Sequence, residues 1–388
     1  MLIRDVSARW IHCPIPEAGQ HVSDFGRIAS FDMALVRIEV DGGLVGWGEA
    51  KAAVGSSGAC RALVAAIEDD LAPHLLGEDA RHVNRAWDRL YNGTRAGFAL
   101  SEGRGFPILG RRGLTISAIS GIDMALWDLL GKSFDAPVVD LWGGSRRPSM
   151  PAYASGGWAD VDEIGAQLRS YVGAGFESVK MRVGVMDNDV AHSAARVAAA
   201  RDALGPEVGL MVDAHGTFSP PEAMRFASLV EPFDVRWFEE PINADDRAGA
   251  ARVRQGTHIP IASGESEFTR FDFRDAIEAG TVDVLQPDLA ICGGPTEGRR
   301  IAALAEAHQL ELAPHCWGSA FSFVAGVSLA FASSAARIIE YSLGSNPLLH
   351  DLAELSVAVS DGIVSTPEGA GWGLEPDLNF VKEFEVPK

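Results

Sequence analysis

"LMVDAHGTF", residues 210–218, sets three apolar residues ahead of Asp213, Ala214 and His215. An apolar run this short, closed by polar and small residues, reads as a buried strand. Alternate strand residues share a face. Asp213 and His215 are therefore expected to point into the same space at the strand's end.

The same rhythm recurs from about residue 150. The runs are "MPAYASGG" (150), "SVKMRVG" (178), "GLMVDAHG" (209), "VRWFEEP" (235), "IPIASGES" (259), "VDVLQPDL" (282), "LELAPHCWG" (310) and "RIIEYS" (337), eight in all. From Lys180, the steps to Asp213, Glu239, Glu265, Asp288, His315 and Glu340 are 33, 26, 26, 23, 27 and 25 residues. A strand, a helix and two short loops fit that length. Helix-like stretches such as "AHSAARVAAARDAL" and "TEGRRIAALAEAHQL" fill the gaps. Eight alternating units predict an α/β fold, a closed (β/α)8-type barrel. A doubly wound open sheet is the alternative, and it has no need of eight evenly spaced units.

The first 115 or so residues have another texture. "FDMALVRIEVDGGLVGWGEA" reads as two strands around the Asp41-Gly42-Gly43 turn. "CRALVAAIEDDLAPHLLG" and "VNRAWDRLYNG" read as helices, and "ISAISGIDMALWDLLGK" as an apolar helix leading into the barrel. The expected divisions are an N-terminal α+β capping domain (1–125), the barrel (126–345) and a C-terminal segment (346–388) packing back on the capping domain.

Bulk composition narrows the partners. The chain carries 33 basic and 53 acidic residues among 388, net −20, which argues against nucleic acid and against an anionic membrane surface. A small anionic substrate, bound locally, stays open. Cys13, Cys60, Cys292 and Cys316 show no close pairing, which suits a reducing cytoplasm and excludes a cysteine zinc cluster. The N-terminus lacks the apolar run of a signal peptide. Leu312 to Ala336 is free of charged side chains but holds five serines from 318 on, so a buried strand, loop and small-residue helix explain it better than a membrane span.

Working sites of such barrels lie at the C-terminal strand ends. There the sequence sets Lys180 and Arg182, Asp213 and His215, Glu239 or Glu240, Glu265, Asp288, His315 and Glu340. Singly, each has a plainer role: an Asp capping the next helix, a solvated Glu, a core His. Together, three consecutive strand ends bearing carboxylates would repel one another in a desolvated space. A divalent cation removes the conflict, and oxygen ligands favour Mg²⁺ or Mn²⁺ over zinc.

The chain resembles the enolase superfamily, in particular its mandelate racemase-like branch. The resemblance spans nearly the whole sequence through "GLVGWGEA" (43–50), "ISGIDMALWDLLGK" (119–132), "VKMRVG", "LMVDAHG", "WFEEP", "GES", "LQPDLAICGG", "PHCWG" and "GWGLEPD". It implies one Mg²⁺ per subunit on Asp213, Glu239 and Glu265, an Asp288–His315 pair as base, and Glu340 as an electrophile beside the substrate carboxylate. It also implies a homo-oligomer. Loops 17–30 and 49–58 resemble those that cover the site in this family, so His21, Arg27 and Lys51 join Lys180 and Arg182 as candidate substrate-binding residues.

One motif departs from the branch. Where Lys-x-Lys is common, this chain has Lys180-Met181-Arg182. Arginine stays protonated and makes a poor base, though its fork suits a carboxylate. Racemisation, which needs proton traffic on both faces, is weakened. Acid-sugar dehydratases of the branch carry an Asp-x-His like Asp213-Ala214-His215, with the histidine as general acid, and lactone cycloisomerases look similar there.

The resulting expectation is Mg²⁺-dependent dehydration of an aldonate or aldarate to a 2-keto-3-deoxy acid. His315 would take the α-proton, an enediolate would form, and His215 would protonate the leaving hydroxyl. A racemase, epimerase or aldarolactone cycloisomerase is the alternative on the same scaffold, and a non-catalytic metal- or sugar-binding protein the rival class. "ICGGPTEG" reads as a tight turn into a helix, where a phosphate site is the lesser alternative.

Overall fold

The computed structural model describes all residues except 25, 53–57, 59, 94–95, 105–109 and 388. Each of the eight apolar runs is a strand: Ser149–Ser155, Ser178–Arg182, Gly209–Asp213, Val235–Glu239, Ile261–Ser263, Val284–Leu285, Glu311–Leu312 and Ile339–Ser342. Neighbours pair in parallel, from Ser155 beside Lys180 round to Leu285 beside Leu312. The eighth strand pairs with the first, Glu340 opposite Tyr153, and a Leu312–Ala336 bridge joins seventh to eighth. The sheet thus closes into a barrel and the open-sheet alternative falls away.

Period-two alternation explains the wall. Tyr153, Met211, Trp237, Ala262, Val284, Ala313 and Ile338 form a buried cluster separate from the main core, filling the barrel's interior from seven strand segments. The second strand gives this cluster no apolar member. Its Lys180 is fully buried, the ammonium 5.5 Å over the Tyr153 ring. The residues one position on, Val179, Met181, Leu210 and Val212, face outward into the core shared with the helices. Those helices start on local chemistry: Asp189 accepts from the His192 N–H, and Ser219 with Glu222 forms a capping box.

The capping domain is a three-stranded antiparallel sheet, Ile3–Pro14, Ser30–Val40 and Val45–Ala50, with the longest pairing between the first two. The Asp41-Gly42-Gly43 turn forms as expected, with both glycines at positive φ. The long helix Leu114–Phe134 lies on this sheet. Gly46 and Gly48 permit the contact, because a Cβ on either would run into the Ala125 and Gly121 carbonyls. The same helix packs on the barrel helix Gly294–His308, so the expected junction at 125/126 falls inside one rigid element. By length and hydropathy this helix could cross a membrane, yet 83% of its most apolar window is buried here.

The C-terminal segment binds both units. Ile363–Ser365 pairs antiparallel with the first barrel strand, and the helix Leu378–Phe384 packs on the first sheet strand. Fully buried Asp128 accepts from the N–H groups of Trp47 and Trp372, tying sheet, helix and tail at one carboxylate. Leu312–Ala336 is a strand end, a loop and the buried helix Ala320–Ala332, as its serines implied.

Candidate active site

Asp213, Glu239 and Glu265 close the third and fourth strands and follow the fifth. Each is buried, and one carboxylate oxygen from each lies within 4.8 Å of the others. Cation–oxygen distances of about 2.1 Å place ligands on opposite sides of a Mg²⁺ about 4.2 Å apart, so side-chain shifts of about half an ångström at most would bring all three oxygens onto one hard cation. Glu239 is further held through Oε2, which accepts from Trp237 Nε1 at 3.0 Å and Gln286 Nε2 at 2.7 Å.

Charge bookkeeping supports the fit. Lys180 pairs with Glu239, and its Nζ is 3.0 Å from Glu340 and 3.5 Å from Asp213. Arg182 pairs with Asp213, its guanidinium 5.5 Å over the Trp317 ring and its buried Nε without a partner among the described residues. Four carboxylates against these two cations leave two negative charges, which one divalent ion balances. Burial pushes Glu265 well above the carboxylate range, opposed by His315 and reinforced by Glu240, Asp213 and Glu239. Burial likewise raises Glu239 despite Lys180. Asp213 goes the other way: burial would raise it, but Arg182, His215 and Lys180 hold it low.

His315 Nδ1 lies 2.7 Å from Asp288 Oδ2, and its Nε2 3.5 Å from Glu265. Both residues follow strand ends, on the sixth and seventh strands. Burial alone would lower the imidazole's pKa, but Glu265 and the Asp288 hydrogen bond outweigh it and raise it. Asp288 also accepts from Lys51 Nζ at 2.5 Å and from the Ala290 N–H at 2.8 Å. Burial acts to raise Asp288, and Lys51 and His315 outweigh it to keep the group ionised.

Three expectations change in detail. Lys51, expected to bind substrate, instead pairs with the Asp288 carboxylate. It is fully buried, and its ammonium is shared between Asp288 and the Trp317 carbonyl at 2.7 Å. Glu340, expected as an electrophile, is an ion-pair partner of Lys180: burial would raise its pKa, but Lys180, His315, Arg182 and the Cys316 N–H hold it low. His215 does not extend its strand. The strand ends at Asp213, and His215 takes a left-handed backbone, φ +46°, that turns its ring back beside Asp213, with Nε2 3.6 Å from Oδ2.

The capping domain reaches the site through a hairpin, His21–Ser23 and Gly26–Ile28. His21 stacks on Trp158 at 3.9 Å, and burial, with Arg182 and His215 nearby, pushes it down to about 4, so it is neutral at pH 7. Arg27 is exposed, outside the buried cluster. Residues 53–57, half of the expected 49–58 loop, lie outside the described residues. The sequence reading missed Asp24, whose Oδ2 is 2.9 Å from His215 Nδ1. It also missed the Trp237 and Gln286 donors to Glu239. The "ICGG" turn holds no phosphate cradle: Thr296 donates to Asp123 through its N–H (2.7 Å) and its hydroxyl (2.8 Å), which fills that helix start with a carboxylate.

Comparison with known proteins agrees with this geometry. Residues 8–143 match the mandelate racemase / muconate lactonizing enzyme N-terminal domain, and residues 163–380 the enolase C-terminal domain-like family. The chain is 36% identical over 360 residues to a D-galactonate dehydratase of Ralstonia pickettii (strain 12J), covering 90% of each. It is 33% identical over 366 residues to a D-galactarolactone cycloisomerase of Agrobacterium fabrum (strain C58), covering 91% of each. A racemase from Streptomyces coelicolor A3(2), solved with bound magnesium, superposes with a TM-score of 0.85 at 32% identity, covering 99% of this chain and 100% of that one.

Proposed function

The chain belongs to the mandelate racemase / muconate lactonizing enzyme family of the enolase superfamily, and from that premise we propose that it dehydrates a sugar acid, an aldonate or aldarate, to a 2-keto-3-deoxy acid. One observation carries the reading. The carboxylate triad is flanked by two imidazoles, His315 Nε2 3.5 Å from Glu265 and His215 Nε2 3.6 Å from Asp213. They hang from the seventh and third strands, opposite staves of an eight-stranded barrel. An anti β-elimination uses a base and an acid placed in this way, one on either side of its substrate.

Asp213, Glu239 and Glu265 would hold the Mg²⁺, which when bound supplies positive charge where the substrate carboxylate becomes more negative. The Nδ1–H of His315 donates to Asp288, which leaves the Nε2 lone pair to accept the α-proton. The electron pair of the broken C–H bond passes into an enediolate. It then returns to form the Cα–Cβ double bond as the β C–O bond breaks. His215 gives its Nε2 proton to the departing hydroxide, water leaves, and the enol tautomerises to the keto acid. Lys180 and Arg182 offer donors to the substrate carboxylate, and each fixed donor is worth about 3 kcal/mol in such sites. Glu340 acts as the carboxylate that orients Lys180.

Arg182 replaces the second lysine and is paired with Asp213, which disfavours racemisation through that position. The galactarolactone-directed relative favours one second reading, cycloisomerisation of a lactone, where the leaving β-oxygen belongs to the ring carboxylate. The same acid would serve both reactions. A cytoplasmic homo-oligomer without nucleic-acid or membrane partners completes the proposal; four buried free cysteines support the compartment, and net charge −20 the absence of anionic partners. The test is a Mg²⁺-supplemented screen of aldonates, aldarates and their lactones by proton NMR in deuterated buffer. A keto acid trapped by semicarbazide is the expected product. Conversion that conserves the elements of water would assign the second reading, and α-proton loss from no substrate would reject both.

A further inference from the structure

Resting on that reading, we propose that Asp24 positions His215 as the proton donor, so that the acid half of the site is assembled jointly by the two domains. Asp24 sits at the turn of the capping-domain hairpin between Ser23 and Gly26, whose φ of +90° lets the chain reverse. Its side chain is fully buried at the barrel mouth. One oxygen faces His215 Nδ1 at 2.9 Å, and the other accepts the Met186 N–H at 2.8 Å. Burying a carboxylate on a hairpin turn is costly unless its oxygens are satisfied. Both of these are spent on the loops after the second and third strands.

The geometry defines what the carboxylate does. An ionised Asp24 can only accept, so the Nδ1–H of His215 turns toward it and Nε2 is directed at the cavity beside Asp213; the ring that donates there carries a proton on both nitrogens, gives up the one on Nε2 and keeps the one held by Asp24. Asp288 plays this part for His315. The His215 backbone is fixed separately, by its N–H donating to Asp213 Oδ1 at 3.0 Å. The hairpin has a second anchor in the His21–Trp158 stack, so it docks at two points. Gly184 makes room beneath: a Cβ there would press on the Thr217 hydroxyl and lie 3.3 Å from Asp24 Oδ1. Asp24 touches no reacting atom and is a positioning residue.

The test compares Asp24→Asn, Asp24→Ala and Asp24→Glu in the full chain with Mg²⁺ and the substrate found by the screen. Elimination is read as keto acid, and proton abstraction as deuterium gained by recovered substrate. We expect Asp24→Asn to slow elimination about 10–100-fold, part of what a general acid supplies. KM should stay within about threefold while deuterium exchange persists, the mark of a loss confined to one step. Asp24→Glu should recover part of the rate. In ¹⁵N-histidine NMR, without substrate, the Nδ1 resonance of His215 should shift in Asp24→Asn, because that nitrogen loses its carboxylate partner. Unchanged elimination would overturn the inference, as would elimination and exchange falling by one factor. His215→Asn separates the layers: if it too eliminates at the normal rate, the donor role of His215 has failed first. If it is impaired while Asp24→Asn is normal, only the role of Asp24 falls.

Discussion

His315 and His215 stand on opposite staves of one barrel, yet they are held in different ways. His315 takes its carboxylate partner from the neighbouring stave, at 2.7 Å from Asp288, and both come from successive units of the same repeating pattern. His215 takes its partner from Asp24, 191 residues earlier in the chain and in the other domain. Proton removal therefore depends on a self-contained wall, and proton delivery on how the two domains dock. Lys51 qualifies this contrast, since it brings a capping-domain ammonium to Asp288.

The largest effect should come from removing what both halves share. Exhaustive chelation, or Asp213→Asn, should abolish α-proton exchange and elimination together. Lewis-acid stabilisation is worth several kcal/mol, so the loss should be about 10³-fold or more. Restoration by Mg²⁺ checks the chelated enzyme, and surviving turnover would remove the cation from the chemistry.

Lys51→Met comes next and tests whether the base half is truly barrel-borne. It takes one of three donors from Asp288. A fall of about 10–100-fold in kcat is expected, as for comparable orienting groups, with KM nearly constant. Steady-state kinetics decides: a rise in KM alone would make Lys51 a substrate contact after all.

The smallest effect concerns the joint itself. Gly48→Ala forces a methyl group against the Gly121 carbonyl, where sheet and long helix meet. Overpacking of this kind costs about 1–3 kcal/mol. Thermal unfolding should show a lower midpoint, and elimination and exchange should both fall, because the capping domain carries Asp24 for the acid and Lys51 for the base. An unchanged midpoint would mean that the helix yields there.

How much of this was legible in the sequence follows the same division. The barrel was, because eight short apolar runs at near-constant spacing favour a closed sheet over a doubly wound one, and the triad because three carboxylates on successive strand ends conflict without a cation. Asp288 and His315 were visible as polar ends on adjacent runs, and their pairing was implied by the family resemblance. Asp24 was not. It lies in a short hairpin with no periodicity, and nothing in "HVSDFGRI" announces contact with residue 215. Lys51 looked like a loop residue because local pattern cannot report that a domain closes over it. Strand alternation placed His215 correctly beside Asp213 but for another reason, since a left-handed residue, not a continued strand, turns the ring inward.

The most direct test follows both reactions in deuterated buffer with the two histidine variants side by side. His215→Asn should return substrate labelled at the α-carbon while forming little keto acid, and His315→Asn should neither label nor eliminate. Labelling that persists in His315→Asn, or equal loss of both reactions in His215→Asn, would contradict a site divided into one base and one acid about a shared cation.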